Sequence, residues 1–337
     1  MPEIDLFAVQ PLVDASTYRS EARFRDAMAR LVARCDALRA RDERHRPSAP
    51  ALAVFPEHVG TFLALAPLGA IGRFVPTTSL ATALALLKRP GGFVRGLRAG
   101  GPASAAALRA LADDVRGAYE RTFSDLARAT GMTIVAGSVL LPDPPESSNV
   151  YNISCMFDTE GRIVGRWRKV HLVPEIEDTL GLCEGDATDL APVSTPVGPV
   201  GTLVCYDGFA VPHTTREPGW KPVGDELARK GAKIIAQPSA NPWRWDEGWV
   251  HAKPGDPLLR RDQWHCEGMM AQLASLDGVG YAVTSHLVGR VMDQAFEGQS
   301  EIRARDAAGE VSIVARAARA DVEDVVHARV PAPWLER

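Results

Sequence analysis

Three apolar segments of this chain each deliver a reactive side chain at the point where the segment ends. ALAVFPE delivers Glu57, GRIVGRWRK delivers Lys169, and VGTLVCYD delivers Cys205. Short apolar runs bounded by Gly or Pro are typical of buried strands. In α/β architectures the ends of such strands are where ligands bind and chemistry takes place. We therefore treat this carboxylate, ammonium and thiol as candidates for one catalytic site.

The rest of the chain alternates between strand and helix patterns without an internal repeat, which indicates an α/β fold. Two long helices are predicted, at 17–41 and 104–130, because apolar residues recur there at steps of three and four. Shorter helices are predicted at 223–230 and near 261–276. Strands are predicted at 4–13, 51–55, 132–141, 149–157, 162–168, 200–205, 233–237, 279–285, 300–305 and 312–317. A chain of 337 residues with 46% hydrophobic content can form one large domain.

The chain order of the three candidates, Glu in FPE, Lys in RKVHL and Cys in VCYD, resembles the Glu-Lys-Cys triad of the nitrilase, or carbon–nitrogen hydrolase, superfamily. The resemblance extends over residues 4–313. It implies a four-layer αββα sandwich, in which two sheets lie face to face with helices outside. Residues 1–318 would form one carbon–nitrogen hydrolase domain with a helical insertion at 61–101. The tail 319–337 would be a strand or an arm that packs on a neighbouring subunit.

The resemblance also implies a mechanism. Glu57 would take the thiol proton of Cys205 as general base, and Lys169 would stabilise the thiolate and the developing oxyanion. The backbone N–H of Tyr206 would be a second oxyanion donor, and one such donor is typically worth about 3 kcal/mol of barrier. The expected reaction is hydrolysis of a C–N bond in a small amide or carbamoyl compound through a Cys thioester. Ammonia or an amine would leave, and neither a metal nor a cofactor is expected.

Two further groups of site residues follow from the same resemblance. A second glutamate lies eight residues beyond the lysine in some amidases of the family, which favours Glu177 here, although Glu175 is equally available. Trp243 and Trp245 lie near the site by analogy. They would form either an apolar wall for the substrate or an oligomer contact.

Two residues beside the triad are expected to be structural. Asp207, two residues after the nucleophile, would hydrogen-bond the turn that carries Cys205. His171 is interpreted as a packed histidine and not as a catalytic base.

The residues after the nucleophile bear on the substrate class. Nitrilases tend to carry Cys-Trp-Glu, whereas this chain has Cys-Tyr-Asp, as many amidases and carbamoylases do. Gly208 after CYD resembles the aliphatic-amidase pattern, and no arginine is clearly placed to bind a substrate carboxylate. Three alternatives stay open: nitrile hydrolysis, acyl transfer through the same thioester, and an inactive binding or scaffold protein.

Composition restricts the partners and the compartment. The formal net charge of −4 and the pI of about 6.1 give no reason to expect nucleic acid. Five cysteines, an odd number without CxxC spacing, favour a reduced, cytoplasmic protein. No signal peptide is recognised at the start of the sequence. A homo-oligomer, dimer or larger, is expected from the family.

The insertion 61–101 is unusual because the stretch 61–112 contains no acidic residue. Its six basic residues are Arg73, Lys88, Arg89, Arg95, Arg98 and Arg109. Three interpretations compete: a lid over the site or an oligomer contact, a membrane-surface helix, and an incidental basic surface.

Overall fold

The computed structural model describes residues 1–41, 49–87, 89–217, 219–252, 255 and 257–336. The strands are β1 (Glu3–Gln10), β2 (Leu12–Asp14), β3 (Ala51–Val54), β4 (Thr133–Pro142), β5 (Val150–Phe157), β6 (Ile163–Arg168), β7 (Val193–Thr195), β8 (Gly198–Thr202), β9 (Ile234–Ala240), β10 (Tyr281–Val291), β11 (Gln294–Phe296), β12 (Glu301–Arg305), β13 (Val311–Arg316) and β14 (Asp324–Pro331). The helices are α1 (Glu21–Arg41), α2 (Thr78–Leu86), α3 (Pro90–Arg98), α4 (Ala103–Thr130), α5 (Gly224–Arg229), α6 (Arg260–Cys266) and α7 (Met269–Ser275).

The first sheet has the strand order β14-β1-β3-β4-β5-β6. Strands β1, β3 and β4 run parallel, and β5 and β6 continue from β4 as an antiparallel meander. Strand β14 pairs antiparallel with β1 over its whole length, from Gln10–Asp324 to Glu3–Pro331. Of the two interpretations of the C-terminal tail, the structure shows the strand, which forms an edge of the first sheet.

The second sheet has the order β13-β12-β10-β9-β8-β7, and β2 and β11 pair with the far end of β10. Strands β8, β9 and β10 are parallel, with antiparallel strands at both edges. Because β2 follows β1 after one residue, the chain passes from the first sheet to the second near its N-terminus. Both sheets are thus tied together by strands from the first 14 residues.

The side chains of β1 show how the layers are built. Phe7 and Val9 belong to the apolar core shared with α1 and α4, and Leu6 and Ala8 belong to the core shared with the second sheet. This alternation has the period of two that a strand between two packed layers requires. Helix α7 packs on β10, β12 and β13. The αββα sandwich is confirmed.

The local predictions hold for the long elements and fail at two turns. Cys205 does not end a strand, because β8 ends at Thr202 and Cys205 begins a short 3-10 turn. The helix predicted near 261–276 is two helices, α6 and α7, separated at Gly268, whose backbone is not helical (φ −86°, ψ −147°). A Cβ on Gly268 would lie 2.4 Å from the carbonyl oxygen of Trp264, so this close turn requires glycine.

The insertion packs on the outer helix layer. Residues 61–74 form a 3-10 segment with a kink at Gly69 (φ 55°), and α2 and α3 follow. Helices α2 and α3 contact α4, and a Cβ on Gly96 would lie 2.5 Å from the carbonyl oxygen of Ala106. Lys88 lies outside the described residues. Of the helices that the structure describes, none is long and apolar enough to cross a membrane.

Candidate active site

Glu57 lies in the turn that follows β3, and its side chain is only 2% exposed. The backbone N–H of His58, the next residue, donates to the Ser138 hydroxyl of β4 at 3.0 Å. Gly137 of β4 lets the two strands approach closely, because a Cβ there would lie 2.0 Å from the carbonyl oxygen of Pro56. Both the carboxylate's position and its burial therefore come from the packing of β3 on β4.

Lys169 follows β6 directly, and its ammonium is buried between two carboxylates. The Nζ atom donates to Glu57 Oε1 at 2.8 Å and also to Glu177 Oε2. Asn152 of β5 holds the same pair together, because its Nδ2 donates to Glu57 Oε1 and to Glu177 Oε1, each at 2.9 Å. The backbone N–H of Val173 adds a 2.9 Å bond to Glu177 Oε2. Two carboxylates can share this buried space because the ammonium and the amide satisfy both.

The turn that carries Cys205 is held by its neighbours. Cys205 has a φ of 50°, an uncommon conformation for a residue other than glycine. Its carbonyl oxygen accepts a 2.8 Å bond from Gln237 Nε2 of β9, and its Sγ lies 3.6 Å from the carbonyl oxygen of Ala240. A Cβ on Gly208 would lie 2.1 Å from Gln237 Nε2, so the glycine after CYD leaves room for this bond.

Asp207 connects this turn to the lysine strand. Its carboxylate accepts backbone N–H bonds from Val170 and His171, which follow Lys169, and from Val204. Burial raises the pKa of Asp207 to about 7, against the effect of these bonds. The predicted structural role of Asp207 agrees with this geometry. The His171 ring is packed as expected, stacked on Trp220 with its Nε2 2.8 Å from the Lys221 carbonyl oxygen.

The charges of the site favour one protonation pattern. Burial would lower the pKa of Lys169, but the charges of Glu177 and Glu57 outweigh it and raise that pKa well above its ordinary value. Burial would raise the pKa of Glu177, but Lys169 and His58 lower it below its ordinary value. Burial, together with Glu57, raises the pKa of Cys205 well above its ordinary value, and Lys169 only partly offsets this. The resting site therefore holds an ammonium, an ionised Glu177 and a neutral thiol.

A neutral buried thiol requires a base at the moment of attack. After burial, the charge of Glu57 raises the pKa of the Cys205 thiol most, so this carboxylate lies close to the thiol. The backbone N–H of Tyr206, next to the nucleophile, donates to no acceptor in the described part of the chain.

The structure separates the two glutamates that the sequence left open. Glu177 is 2% exposed and bonded to Lys169, whereas the side chain of Glu175 is 72% exposed and lies 3.8 Å from Arg216. The backbone of Glu175 itself has a φ of 65°, an uncommon conformation for a residue other than glycine. Only Glu177 adjoins the triad.

The two predicted tryptophans occupy different places. Trp243 stacks edge-on against Trp249 at 5.0 Å, and the Arg260 guanidinium lies 4.6 Å from its ring centre. Trp245 is buried in the same apolar cluster as Cys205, and it also borders a separate cavity of about 270 Å³. Both are therefore near the nucleophile, but only Trp243 contacts Arg260.

Sequence reasoning missed two residues of the site. Asn152, inside a strand pattern, had no signal beyond being polar in an apolar stretch. Arg260 lies in the segment LLRRDQW, where two adjacent arginines look like an exposed helix start.

His58 lies with Glu57 and Glu177 in a group whose ligand atoms are within 4.8 Å of one another. The Lys169 ammonium already supplies the positive charge there.

Comparisons with known proteins show similarity to carbon–nitrogen hydrolases over part of the chain. The family model described as carbon-nitrogen hydrolase matches residues 60–214, which include Lys169 and Cys205. The human deaminated glutathione amidase is 30% identical over 138 residues, 39% of this chain and 39% of its own length. The omega-amidase NIT3 of Saccharomyces cerevisiae is 29% identical over 123 residues, 35% of this chain and 38% of its own length. The aligned regions thus span about two fifths of these curated relatives.

Two solved structures share the fold over nearly the whole chain. A carbon-nitrogen hydrolase from Helicobacter pylori superposes with a TM-score of 0.62 at 19% identity, covering 99% of this chain and 91% of that chain. An amidase from Nesterenkonia sp. gives a TM-score of 0.59 at 17% identity, covering 99% and 92%. These structures show the shared αββα fold, and the family model and curated relatives show that part of the chain is similar to carbon–nitrogen hydrolases.

Proposed function

We propose that this protein hydrolyses the C–N bond of a small amide through a thioester on Cys205. The observation that carries the proposal is the buried contact of Lys169 with both Glu57 and Glu177, beside the thiol. Burying three charged groups is costly, and an arrangement of this kind is typical of a catalytic site. The amidase names of the relatives support the same reaction class.

The first half of the reaction forms the thioester. The Cys205 sulfur attacks the amide carbon as Glu57 accepts the thiol proton. The oxyanion that develops receives hydrogen bonds from Lys169 Nζ and the Tyr206 backbone N–H. The C–N bond then breaks, the proton on Glu57 passes to the leaving nitrogen, and ammonia or an amine departs.

The second half releases the acid. A water molecule attacks the thioester carbon with its oxygen, and Glu57 takes a proton from this water. The C–S bond breaks, and the proton returns from Glu57 to the Cys205 sulfur. Glu177 stays ionised throughout and keeps Lys169 charged and oriented between the carboxylates.

The substrate class is an amide and not a nitrile. The Cys-Tyr-Asp sequence supports this, and so does Gly208, which leaves space for Gln237 beneath the nucleophile. A screen of matched amides, N-carbamoyl compounds and nitriles for ammonia release tests the proposal. Amides should be turned over faster than their matching nitriles, and the reverse order would move the protein to nitrile hydrolysis.

Two other candidates use the same residues. Acyl transfer would pass the thioester to an amine instead of water, and hydroxylamine supplied beside water would reveal it as a hydroxamate product. A binding or scaffold protein would take up an amide without turnover, and Cys205→Ala would leave that binding undiminished. The cost of burying an intact triad favours turnover over binding alone.

We also infer a reducing compartment, consistent with the cytoplasm, and a homo-oligomer. Support for the first comes from Cys35, Cys155, Cys183 and Cys205, which form no disulfide with the described residues. Support for the second comes from the apolar surface of the insertion, which is argued below. Native mass spectrometry measures the oligomeric state directly.

A further inference from the structure

A cavity of about 270 Å³ lies on the α6 side of the second sheet, and residues of α6, β10, β12 and β13 line it. No member of the Glu-Lys-Cys triad is among the described residues of this lining. Four lining side chains are buried, each at most 7% exposed: Trp245, Trp264, His286 and Arg303. The cavity is therefore distinct from the candidate active site and has a largely buried wall.

Three of these buried side chains carry an N–H group without a hydrogen-bond partner among the described residues. They are Nε1 of Trp245, Nε1 of Trp264 and Nε of Arg303. An indole N–H and a guanidinium N–H can donate a hydrogen bond but cannot accept one. A buried donor without an acceptor destabilises a fold, so these groups indicate a missing acceptor at the cavity that all three residues line.

Other indole groups of the chain show how the fold satisfies a tryptophan when no cavity adjoins it. Trp167 Nε1 donates to the Ala191 carbonyl oxygen at 3.0 Å, and Trp334 Nε1 donates to the Val197 carbonyl oxygen at 2.9 Å. Trp220 has a buried Nε1 without a partner, and it lines the wider cleft of about 1150 Å³. In the described chain, each buried indole nitrogen without a partner therefore belongs to a residue that lines a cavity or cleft.

The charges around the smaller cavity favour an anion as the missing acceptor. Arg303 and Arg316, from neighbouring strands, both line it and both contact the carboxylate of Glu301. Two guanidinium groups thus face one carboxylate. Of the two other charged lining residues, Arg261 and Asp262 lie 3.5 Å apart and balance each other. The lining therefore has an excess of one positive charge.

The effect of burial on the titratable groups agrees with this excess. Burial lowers the pKa of the Arg303 guanidinium below its ordinary value, Glu301 opposes this effect, and Arg316 adds to it. Burial also lowers the pKa of His286 to about 3, so that its ring is neutral at pH 7. One carboxylate therefore does not compensate for the burial of positive charge here, and a second negative group would.

A ligand can enter this cavity from solvent. The side chains of Arg261, Asp262 and Arg316 belong to its lining and are exposed. The volume is large enough for a small anion together with a few water molecules, each of which takes about 30 Å³ in the liquid. The cavity thus joins an accessible rim to a wall of buried donors.

We propose that this cavity binds a small anion of the size of formate, acetate or a halide, which accepts hydrogen bonds from Trp245, Trp264 and Arg303. Such an anion supplies the acceptor that the three N–H groups lack and balances the second guanidinium. Hydrogen bonds to a charged acceptor are stronger than those to a neutral one. Trp245 and Trp264 pack in the same apolar cluster as Cys205, so the anion would stabilise side chains that surround the nucleophile. The inference does not depend on the proposed hydrolysis.

Calorimetry with sodium formate on the full chain at constant ionic strength tests the inference. The wild type should bind one formate per chain. Trp245→Phe and Trp264→Phe each remove one N–H and keep an aromatic ring, so each should weaken binding by roughly tenfold. Trp334→Phe is the matched control, because its indole donates to a carbonyl oxygen away from the cavity, and it should bind formate as the wild type does. No binding by the wild type, or equal affinity in all four proteins, overturns the inference.

Crystals of the wild type locate the anion without any variant. After separate soaks in sodium formate and sodium bromide, density for formate and an anomalous peak for bromide should appear beside Trp245, Trp264 and Arg303. Ordered water alone after both soaks overturns the inference, because water can also accept from these donors. Neither measurement uses amide turnover as its readout. Failure of the anion site therefore leaves the proposed hydrolysis standing, and failure of the hydrolysis leaves the anion site standing.

Discussion

Lys169 Nζ lies 2.8 Å from Glu57 Oε1, although 112 residues separate the two side chains in sequence. Glu57 follows β3 and Lys169 follows β6, and β4 and β5 lie between these strands in the first sheet. The contact is therefore a product of the whole sheet. Its burial makes the charges depend on each other, since removing Lys169 would leave Glu57 and Glu177 together away from water without its ammonium.

The first prediction concerns the nucleophile. Cys205→Ala should abolish amide turnover, and Cys205→Ser should leave almost none, because a serine hydroxyl is far less acidic than a thiol. Mass spectrometry of the wild type with excess slow substrate should show an acyl adduct on the Cys205 peptide. Cys183→Ala is the control and should keep both activity and adduct. Substantial turnover by Cys205→Ala would refute the thioester mechanism.

The second prediction distinguishes the two glutamates after the lysine. Glu177→Gln should lower kcat by roughly a hundredfold, because it removes a charge that keeps Lys169 protonated and oriented. Glu175→Gln should change kcat by less than about twofold, since that side chain is exposed. Initial-rate measurements on both variants, with melting temperatures to confirm folding, decide between them. If the two variants lose activity equally, the supporting role does not belong to Glu177.

A residue of this site can be predicted from the sequence when its neighbours along the chain determine its position. It cannot be predicted when the position depends on distant segments. The triad was predicted because each member follows an apolar segment and matches a family pattern. The family spacing favours Glu177 but leaves Glu175 open, because the two residues lie in an irregular turn whose geometry no local pattern specifies. Arg260 was missed because the aromatic rings around it come from separate segments that meet only in the folded chain.

The fold likewise has features that local sequence patterns predict and features that they do not. The long helix 104–130 and the strand pairs were predicted from periodicity to within a few residues, since burial on one face leaves a regular pattern. The sandwich itself came from the family resemblance, because strand order is not encoded in periodicity. For the tail, the sequence predicts either a strand or an arm. Its pairing with β1 joins the two ends of the chain, a contact that no local pattern specifies.

The third prediction concerns acid stability at the β1–β14 edge. Burial would raise the pKa of Asp5, but bonds from His327 and Arg329 outweigh it and lower that pKa to about 2. Because the folded-state pKa lies below the ordinary value of 3.8, the stabilisation is fully present above that value and is lost as pH falls towards 2. The shift corresponds to about 2 kcal/mol.

Asp5→Asn should therefore lower the free energy of unfolding by at least about 2 kcal/mol at pH 7. The difference from the wild type should shrink between pH 4 and pH 2. Urea unfolding at a series of pH values measures it, and Asp321→Asn, an exposed pair with Arg319, serves as the control. A difference that stays constant down to pH 2 would contradict the linkage and leave only a packing effect.

The last prediction concerns the surface of the insertion. Its exposed apolar side chains are Ile71, Phe74, Leu80, Leu87, Val94 and Leu97. The basic residues beside them are partly engaged, because Arg89 pairs with Asp114 at 2.7 Å and Arg109 donates to three backbone carbonyls. A membrane-surface helix relies on free cations next to its apolar face. The engaged arginines therefore favour an oligomer contact over a membrane surface, and the packing of α2 and α3 on α4 supports this interpretation more than it supports a lid.

Leu87→Glu combined with Leu97→Glu should shift the protein to a smaller oligomer without changing the reaction of Cys205 with a small thiol reagent. Analytical ultracentrifugation measures the oligomer, and Leu12→Glu, another exposed apolar residue outside the insertion, is the control. The lid hypothesis instead requires that deleting residues 74–100 change which substrate sizes are accepted. Salt-sensitive co-sedimentation of the wild type with anionic vesicles, lost in the double variant, would favour the membrane surface. An unchanged oligomer in the double variant would refute the contact, because two buried carboxylates at an apolar interface cannot be accommodated without cost.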